Sequence, residues 1–587
     1  MTKATVEKLA AAAVILTVFV LLVQWTWQAH GDIVIDTGRE LYMPWRITEG
    51  EVLYRDLAHF SGPFSQYWNA LWIAMLGNTV RTLQLVNLAI LLVTVGLVHA
   101  LVVRISDRPT ATVVSLVQLV VFSFAQINGC CIFDWVLPYC HELTHGVALA
   151  FLALWLLVRW RESGGRAQLL GLGFVVGITF LTKPEPFAAL GVALALGVPL
   201  AAKARGEAVL RPLAFVVAAG AVPLLLSVLA LSTAMPISQA IRATAGGWPY
   251  VTNAELQSLA YYRKNMGTDR PVENLGVVLS WLGSGVVLFG VAALLDRLAG
   301  KRLARFPWTF SIVVGLVLAM IAAFARIDVL MCAKPLPLVV LGVLGFTIPS
   351  ALRTEVRGLV SVCFCSFALA LLAKMLLATM IGNYGFALAM PAGLLASVTM
   401  LHWLPASLVR LGGSGVIVRG AGLGLLVLLA FEILLVTESA LWTRAVPVGS
   451  GANTIMADPG RGKAMQQFLA EMERKLPHEA TLAVLPEGVS VNWFLRARNP
   501  TGYVNFMPPE VILFGEEAMV AAFHAKPPDY VLLVHKHTGE YGLRYFGTDY
   551  GTKLMAHVRK SYQRVWLLGF EPFVEWDHFG MELLSRR

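Results

Sequence analysis

Asp36, Arg39 and Glu40 are spaced so that they share one face if the stretch begins a helix. They sit in the run His30-Gly31-Asp32-Ile33-Val34-Ile35-Asp36-Thr37-Gly38-Arg39-Glu40-Leu41-Tyr42, which continues through Glu49-Gly50-Glu51-Val52-Leu53-Tyr54-Arg55-Asp56 to Ser61-Gly62-Pro63. A carboxylate so placed can take the proton of an attacking hydroxyl. An arginine beside it can stabilise an anion that develops as a bond breaks. The competing reading is a solvated helix face whose charges pair with one another.

Three further clusters carry ionisable groups. Asp134-Trp135-Val136-Leu137-Pro138-Tyr139-Cys140-His141-Glu142, with His145 a turn later, opens a helix, so its polar groups either line a cleft or satisfy the helix start. Glu142 and His145 alone make a weak metal pair without a third ligand. Lys183-Pro184-Glu185-Pro186 breaks an apolar stretch, and backbone freed by proline at membrane depth needs a protein-lined cavity or an interface around it. Arg326-Ile327-Asp328, followed by Lys334-Pro335, reads as a short outer turn. In the tail, His535-Lys536-His537 reads as surface residues, and Leu485-Pro486-Glu487-Gly488 as a turn. None of the six cysteines has zinc-site spacing; buried thiols are expected, with a Cys131–Cys140 bridge as the alternative.

The elements that must position these residues are membrane helices. The 587-residue chain is 57% hydrophobic and 14% charged, with mean hydropathy +0.68. Its apolar residues form about thirteen runs of spanning length, near 9–25, 79–103, 110–128, 143–158, 167–182, 187–202, 212–233, 276–295, 308–325, 335–352, 358–381, 386–404 and 418–437. The formal net charge of +10 lies in the connections between runs and not in an aromatic-interleaved patch, which argues against nucleic acid. With the N-terminus inside, every second connection is basic, from Arg104 and Arg108 to Arg410 and Arg419, as the positive-inside rule requires. That topology puts the long segment 29–78 and everything after about Leu441 on the outer side. The expected fold is mainly α: a polytopic helix bundle over 1–445, then a small extracytoplasmic α/β domain over 446–587. In that domain Lys463–Leu476 reads as an amphipathic helix, and Thr481–Leu485 and Tyr530–Val534 read as strands.

The Asp-x-x-Arg after the first span, the Glu-Gly-x-x-Leu-Tyr-Arg-Asp segment and the Gly-Pro entering the next helix resemble the GT-C membrane glycosyltransferases. Within these the likeness is to the protein O-mannosyltransferase and aminoarabinose transferase group. The layout is similar too: a large first outer loop, about a dozen spans and a soluble C-terminal domain. The resemblance implies inverting transfer of a sugar from a polyprenyl-phosphate donor on the outer membrane face. It maps the base onto Asp36, with Asp32 as fallback, and a phosphate-binding cation onto Arg39. Lys183, Arg326 and Lys334 are further donor-phosphate candidates, because each lies at an expected outer end of a span. Glu40, Arg55, Asp134, Tyr139, His141, Glu142, Glu185 and Asp328 are candidates for the substrate cleft. Where aminoarabinose transferases carry an acidic–basic pair before a proline, this chain has Ser61-Gly62-Pro63. No metal site is therefore carried over.

The function that follows is a membrane glycosyltransferase acting in the cell envelope from a bacterial inner membrane. Its partners are a polyprenyl-phosphate-linked sugar, membrane lipid and an acceptor hydroxyl on a lipid, glycan or protein. No resident cofactor is expected, and a divalent metal, though compatible with the chemistry, has no ligand set in the sequence. The absence of a Walker loop or a GxGxxG after a strand favours a lipid-carried donor over a nucleotide sugar. The alternatives are a transporter or flippase of a lipid-linked substrate and a non-catalytic envelope assembly protein. A transporter would place charges mid-span, and here Lys374 and Glu432 are the main such cases.

Overall fold

The computed structural model describes residues 2–299, 307–324, 328–575 and 578–587. Each apolar run noted in the sequence coincides with a helix. Ten helices are long and apolar enough to cross a membrane, and three shorter apolar ones cover Arg108–Ser123, Arg166–Phe180 and Trp308–Phe324. The lipid-facing character is plain on Leu210–Ser232, where Val217, Leu225, Leu226 and Leu229 are all more than half exposed. Such surface is tolerable only in hydrocarbon. The same helix meets Arg166–Phe180 at glycines: a methyl added at Gly177 would lie 2.2 Å from Gly220 O, so the backbones touch. Small residues give membrane helices this close approach. The chain is a multi-pass membrane protein.

The segment between the first two spans is ordered. It contains the helices Thr37–Thr48 and Phe64–Leu76. After the last span, Val416–Trp442, the chain changes to mixed elements. Strands β1 (Val446–Val448) and β2 (Ile455–Ala457) form an antiparallel pair. Strands β3 (Leu482–Leu485), β4 (Tyr530–Val534), β5 (Tyr562–Gly569) and β6 (Gly580–Arg586) form a sheet of order β3-β4-β6-β5. β3 and β4 are parallel and the other pairs antiparallel. The amphipathic helix read at 463–476 is Pro459–Lys475, capped by Asp458.

Alternation along β3 and β4 sends successive side chains to opposite faces of this sheet. Ala483, Leu485, Val531 and Leu533 pack on Phe506, Phe523 and Leu554. Leu482, Val484, Leu532 and Val534 pack on Ile33, Val34, Leu41 and Tyr42 of the segment after the first span, together with Phe468 and Met472. One apolar core thus joins the segment after the first span to the C-terminal sheet. Residues more than four hundred positions apart are fixed against each other across it.

Candidate active site

Asp36 precedes the helix Thr37–Thr48 with φ 52° and ψ −45°. A non-glycine residue held there costs about 1–3 kcal/mol and persists only where its surroundings fix it. The C-terminal region does so. The Asp36 N–H donates to Glu487 Oε1 at 3.0 Å, and the Ser490 hydroxyl donates to the Ile33 carbonyl. Gly38 lies flush on Ser490, where a methyl would come within 2.2 Å of the Ser490 backbone nitrogen.

One turn on, Arg39 is 6% exposed and held in a fork. Its Nη2 donates to the Tyr139 carbonyl at 2.8 Å and lies 3.3 Å from Asp36 Oδ1, while Nε donates to Glu40 Oε1 at 3.2 Å. Nη1 is 3.9 Å from Glu510 Oε1. Glu40 points away from the opening into a buried network, with its Oε2 2.5 Å from His141 Nδ1. Asn87 Nδ2 donates to the Val136 carbonyl and lies 2.9 Å from His141 Nε2. That nitrogen is therefore the acceptor, and the imidazole proton sits on Nδ1, facing Glu40. Glu142 accepts from Gln66 Nε2 at 2.9 Å and from Cys140 Sγ at 3.0 Å. His59 Nε2 is 3.2 Å from Glu142 but outside hydrogen-bond geometry. His145 turns to Ser65 instead.

Above this network lies a cavity of about 630 Å³. Five carboxylates line it (Asp36, Glu185, Glu487, Glu510, Glu540) with four cations (Arg39, Lys183, Lys374, Lys536). Arg39 pairs with Asp36, Lys374 with Glu185, and Lys536 with Glu487 at 3.5 Å and Glu540 at 3.9 Å. Lys183 alone of the four has no carboxylate within ion-pair distance among the described residues; it donates to the Tyr139 hydroxyl at 3.3 Å. Burial pushes both Glu487 and Glu510 up to about 7, against the pull of Lys536 on the first and Arg39 on the second. Burial also raises Asp36, opposed by Arg39. About a quarter of the Asp36 side chain is open, toward this cavity, and burial of the rest makes desolvation the leading influence on it. Tyr139, Tyr384, Tyr261 and Tyr541 form a chain of ring contacts along the wall, with centroids 5.3–5.9 Å apart. Ile132, Phe133, Ala188 and Leu371 make an apolar side.

Of the residues singled out in the sequence, Asp36, Arg39, Lys183, Tyr139 and Glu185 line this cavity, while Glu40, His141 and Glu142 form the layer beneath. Asp32 is fully engaged elsewhere, bidentate with Arg461 at 2.8 and 3.0 Å and capping Val34 and Ile35. Asp134 is buried against His30 and Gln126, and Arg55 is an exposed partner of Asp56. Asp328 caps a short helix, and Lys334 lies outside the cavity lining. Arg326 lies outside the described residues. Lys374, Glu487, Glu510 and Lys536 were not expected in the site. Lys374 did carry a signal, as a charge inside an apolar run. Cys131 and Cys140 are free thiols. Among the described residues no three of His, Cys, Asp and Glu converge to hold a metal ion.

A mainly helical polytopic bundle with an ordered segment between its first two spans and a small C-terminal sheet is the GT-C fold, and the chain has that fold. The chain is similar over 99% of its length to the aminoarabinose transferase ArnT from Cupriavidus metallidurans bound to undecaprenyl phosphate, covering 98% of that protein with 12% identity and a TM-score of 0.50. The apo form of the same transferase aligns over 99% of this chain and 98% of that one, at 13% identity and a TM-score of 0.47. An Archaeoglobus fulgidus oligosaccharyltransferase solved with zinc and sulfate aligns over 96% of this chain and 72% of that one, at 12% identity and a TM-score of 0.39. No protein-family model and no curated protein sequence matches the chain.

Proposed function

We propose that this protein is an inverting glycosyltransferase that moves a sugar from a polyprenyl-phosphate donor to an acceptor hydroxyl on the outer face of the membrane. The observation that carries the reading is that one cavity holds a strained, desolvated Asp36 beside Arg39, together with Lys183, a cation that has no carboxylate within ion-pair distance among the described residues. The acceptor oxygen attacks the anomeric carbon as its proton passes to Asp36. The bond from that carbon to the phosphate oxygen breaks on the opposite face, and polyprenyl phosphate leaves with the electron pair. Phosphate needs no general acid, so the protein's task on that side is charge compensation. Lys183 and Arg39 supply it, the tyrosine chain offers flat faces for sugar rings, and the apolar side takes the lipid stem. The fold similarity to a transferase bound to undecaprenyl phosphate supports this donor class.

In this reading residues 1–445 form the membrane catalytic domain, with the N-terminus cytoplasmic, and 446–587 form an extracytoplasmic domain in a bacterial inner membrane. The test is release of undecaprenyl phosphate by reconstituted protein from undecaprenyl-phosphate glucose, mannose and arabinose, with an envelope extract as acceptor. Release by wild type and its loss in Asp36→Asn supports the reading. No release from any donor would turn the assignment toward transport.

A further inference from the structure

We propose that Glu487 is a positioning residue for Asp36: it holds the strained turn from the C-terminal region, and its carboxylate faces the Asp36 carboxylate across that bond. The proposal deepens the transferase reading and rests on it for its kinetic arm only. Three observations converge. The Asp36 amide donates to Glu487 Oε1 at 3.0 Å at the residue whose φ is 52°. Glu487 is itself anchored, 3% exposed and 3.5 Å from Lys536. Its other oxygen, Oε2, is buried at the cavity wall and faces the Lys536 ammonium across that 3.5 Å without a hydrogen bond. A buried carboxylate oxygen with an ion pair and no hydrogen bond is costly to keep. Its retention points to a role that an apolar residue would not fill.

The second consequence is electrostatic. Asp36 faces Arg39 and Glu40 from its own helix, Lys183 from the helix Pro184–Arg205, and Glu487, Lys536 and Glu510 from the C-terminal region. Glu487 in turn faces Lys536, Asp36 and Asp32. When Glu487 is ionised, its charge makes Asp36 a more avid proton acceptor, so one residue supports both geometry and basicity.

The test compares Glu487→Ala and Glu487→Gln in the full chain in lipid nanodiscs. Glutamine keeps an acceptor oxygen for the Asp36 amide and removes the charge; alanine removes both. Hydrogen exchange read by mass spectrometry over residues 31–40 needs no activity. The alanine variant should exchange the Asp36 amide at least about tenfold faster, as expected for loss of a charge-assisted hydrogen bond, and the glutamine variant should stay near wild type. On whichever of the three donors wild type uses, alanine should lower kcat about tenfold or more with little change in KM. Glutamine, which keeps the acceptor for the amide but weakens Asp36 as a base, should lose less rate than alanine and shift the acid limb of kcat/KM to lower pH. Equal exchange in wild type and alanine, or an unmoved or upward-moved acid limb in glutamine, would overturn the proposal. If wild type turns over no donor, the transferase reading fails and the exchange result alone decides the positioning role. If alanine does not fold, glutamine's limb shift decides.

Discussion

Glu40 Oε2 and His141 Nδ1 lie 2.5 Å apart, with neither side chain exposed to solvent. Glu40 also receives the Nε of Arg39 on its other oxygen, so the arginine's aim depends on a partner that never meets the cavity. A hydrogen bond to a buried carboxylate is worth about 1.5–3 kcal/mol. His141→Ala loses that bond and the one from Asn87, so it should lower the thermal midpoint in detergent more than Asn87→Ala, which removes two neutral hydrogen bonds worth about 1 kcal/mol each. Equal losses would mean that Arg39, Gln66 and the His141 backbone amide hold Glu40 without the imidazole.

Asp36→Asn preserves shape and removes the proton acceptor. Transfer should fall by about 10²–10⁴-fold, the usual worth of a positioned base. Undecaprenyl phosphate binding should survive. A variant that loses binding as much as turnover would mark Asp36 as part of the phosphate site and not as the base.

Lys183→Ala separates charge compensation from architecture. The ammonium has no carboxylate among the described residues, so its loss strands no buried anion. The expected result is an unchanged thermal midpoint with about tenfold or greater loss of kcat/KM for the donor, consistent with one charged hydrogen bond to phosphate. Unchanged donor kinetics would remove Lys183 from the site.

Gly38→Ala tests the backbone seat of the turn. The added methyl would meet the Ser490 nitrogen at 2.2 Å and its Cα at 2.8 Å, both backbone atoms that cannot rotate aside. Overpacking of this kind costs about 1–3 kcal/mol. Activity should fall with stability, because the displaced strand of chain carries Asp36. A stable and fully active variant would show that the two segments can part without consequence.

The bundle was legible because apolar runs of spanning length admit few other structures, and each run became a helix. Asp36 and Arg39 were legible through local spacing. Lys536, Glu487 and Glu510 were not, because nothing local distinguishes a turn glutamate or a strand-end lysine from one that simply faces water. Only the packing of Ile33, Val34 and Tyr42 on the C-terminal sheet brings them to Asp36, and that contact is invisible one segment at a time. Arg55 and Asp32 misled for the opposite reason. Each looked available in the segment after the first span, but Arg55 pairs with its neighbour Asp56, and Asp32 is held by Arg461 from the distant tail.

Glu510 links the cavity to the pH dependence of stability. Burial among cavity groups raises its carboxyl to about 7, while in the unfolded chain it titrates at the ordinary value near 4.3. Between those values the native protein holds a proton that the unfolded chain has released. Folding stability must then fall as pH rises through roughly 4.5 to 7, with no further change from this group above that window. Glu487, also raised to about 7, acts with the same sign, whereas Asp32, lowered by Arg461 and Arg444 despite its burial, acts oppositely and only at lower pH. Glu510→Gln removes one of these contributions, so its thermal midpoint should drop less than that of wild type between pH 5 and pH 7.5. The difference should amount to about 1–3 kcal/mol. Parallel declines in the two proteins would mean that Glu510 is ionised in the native state and that Arg39, 3.9 Å away, outweighs its burial.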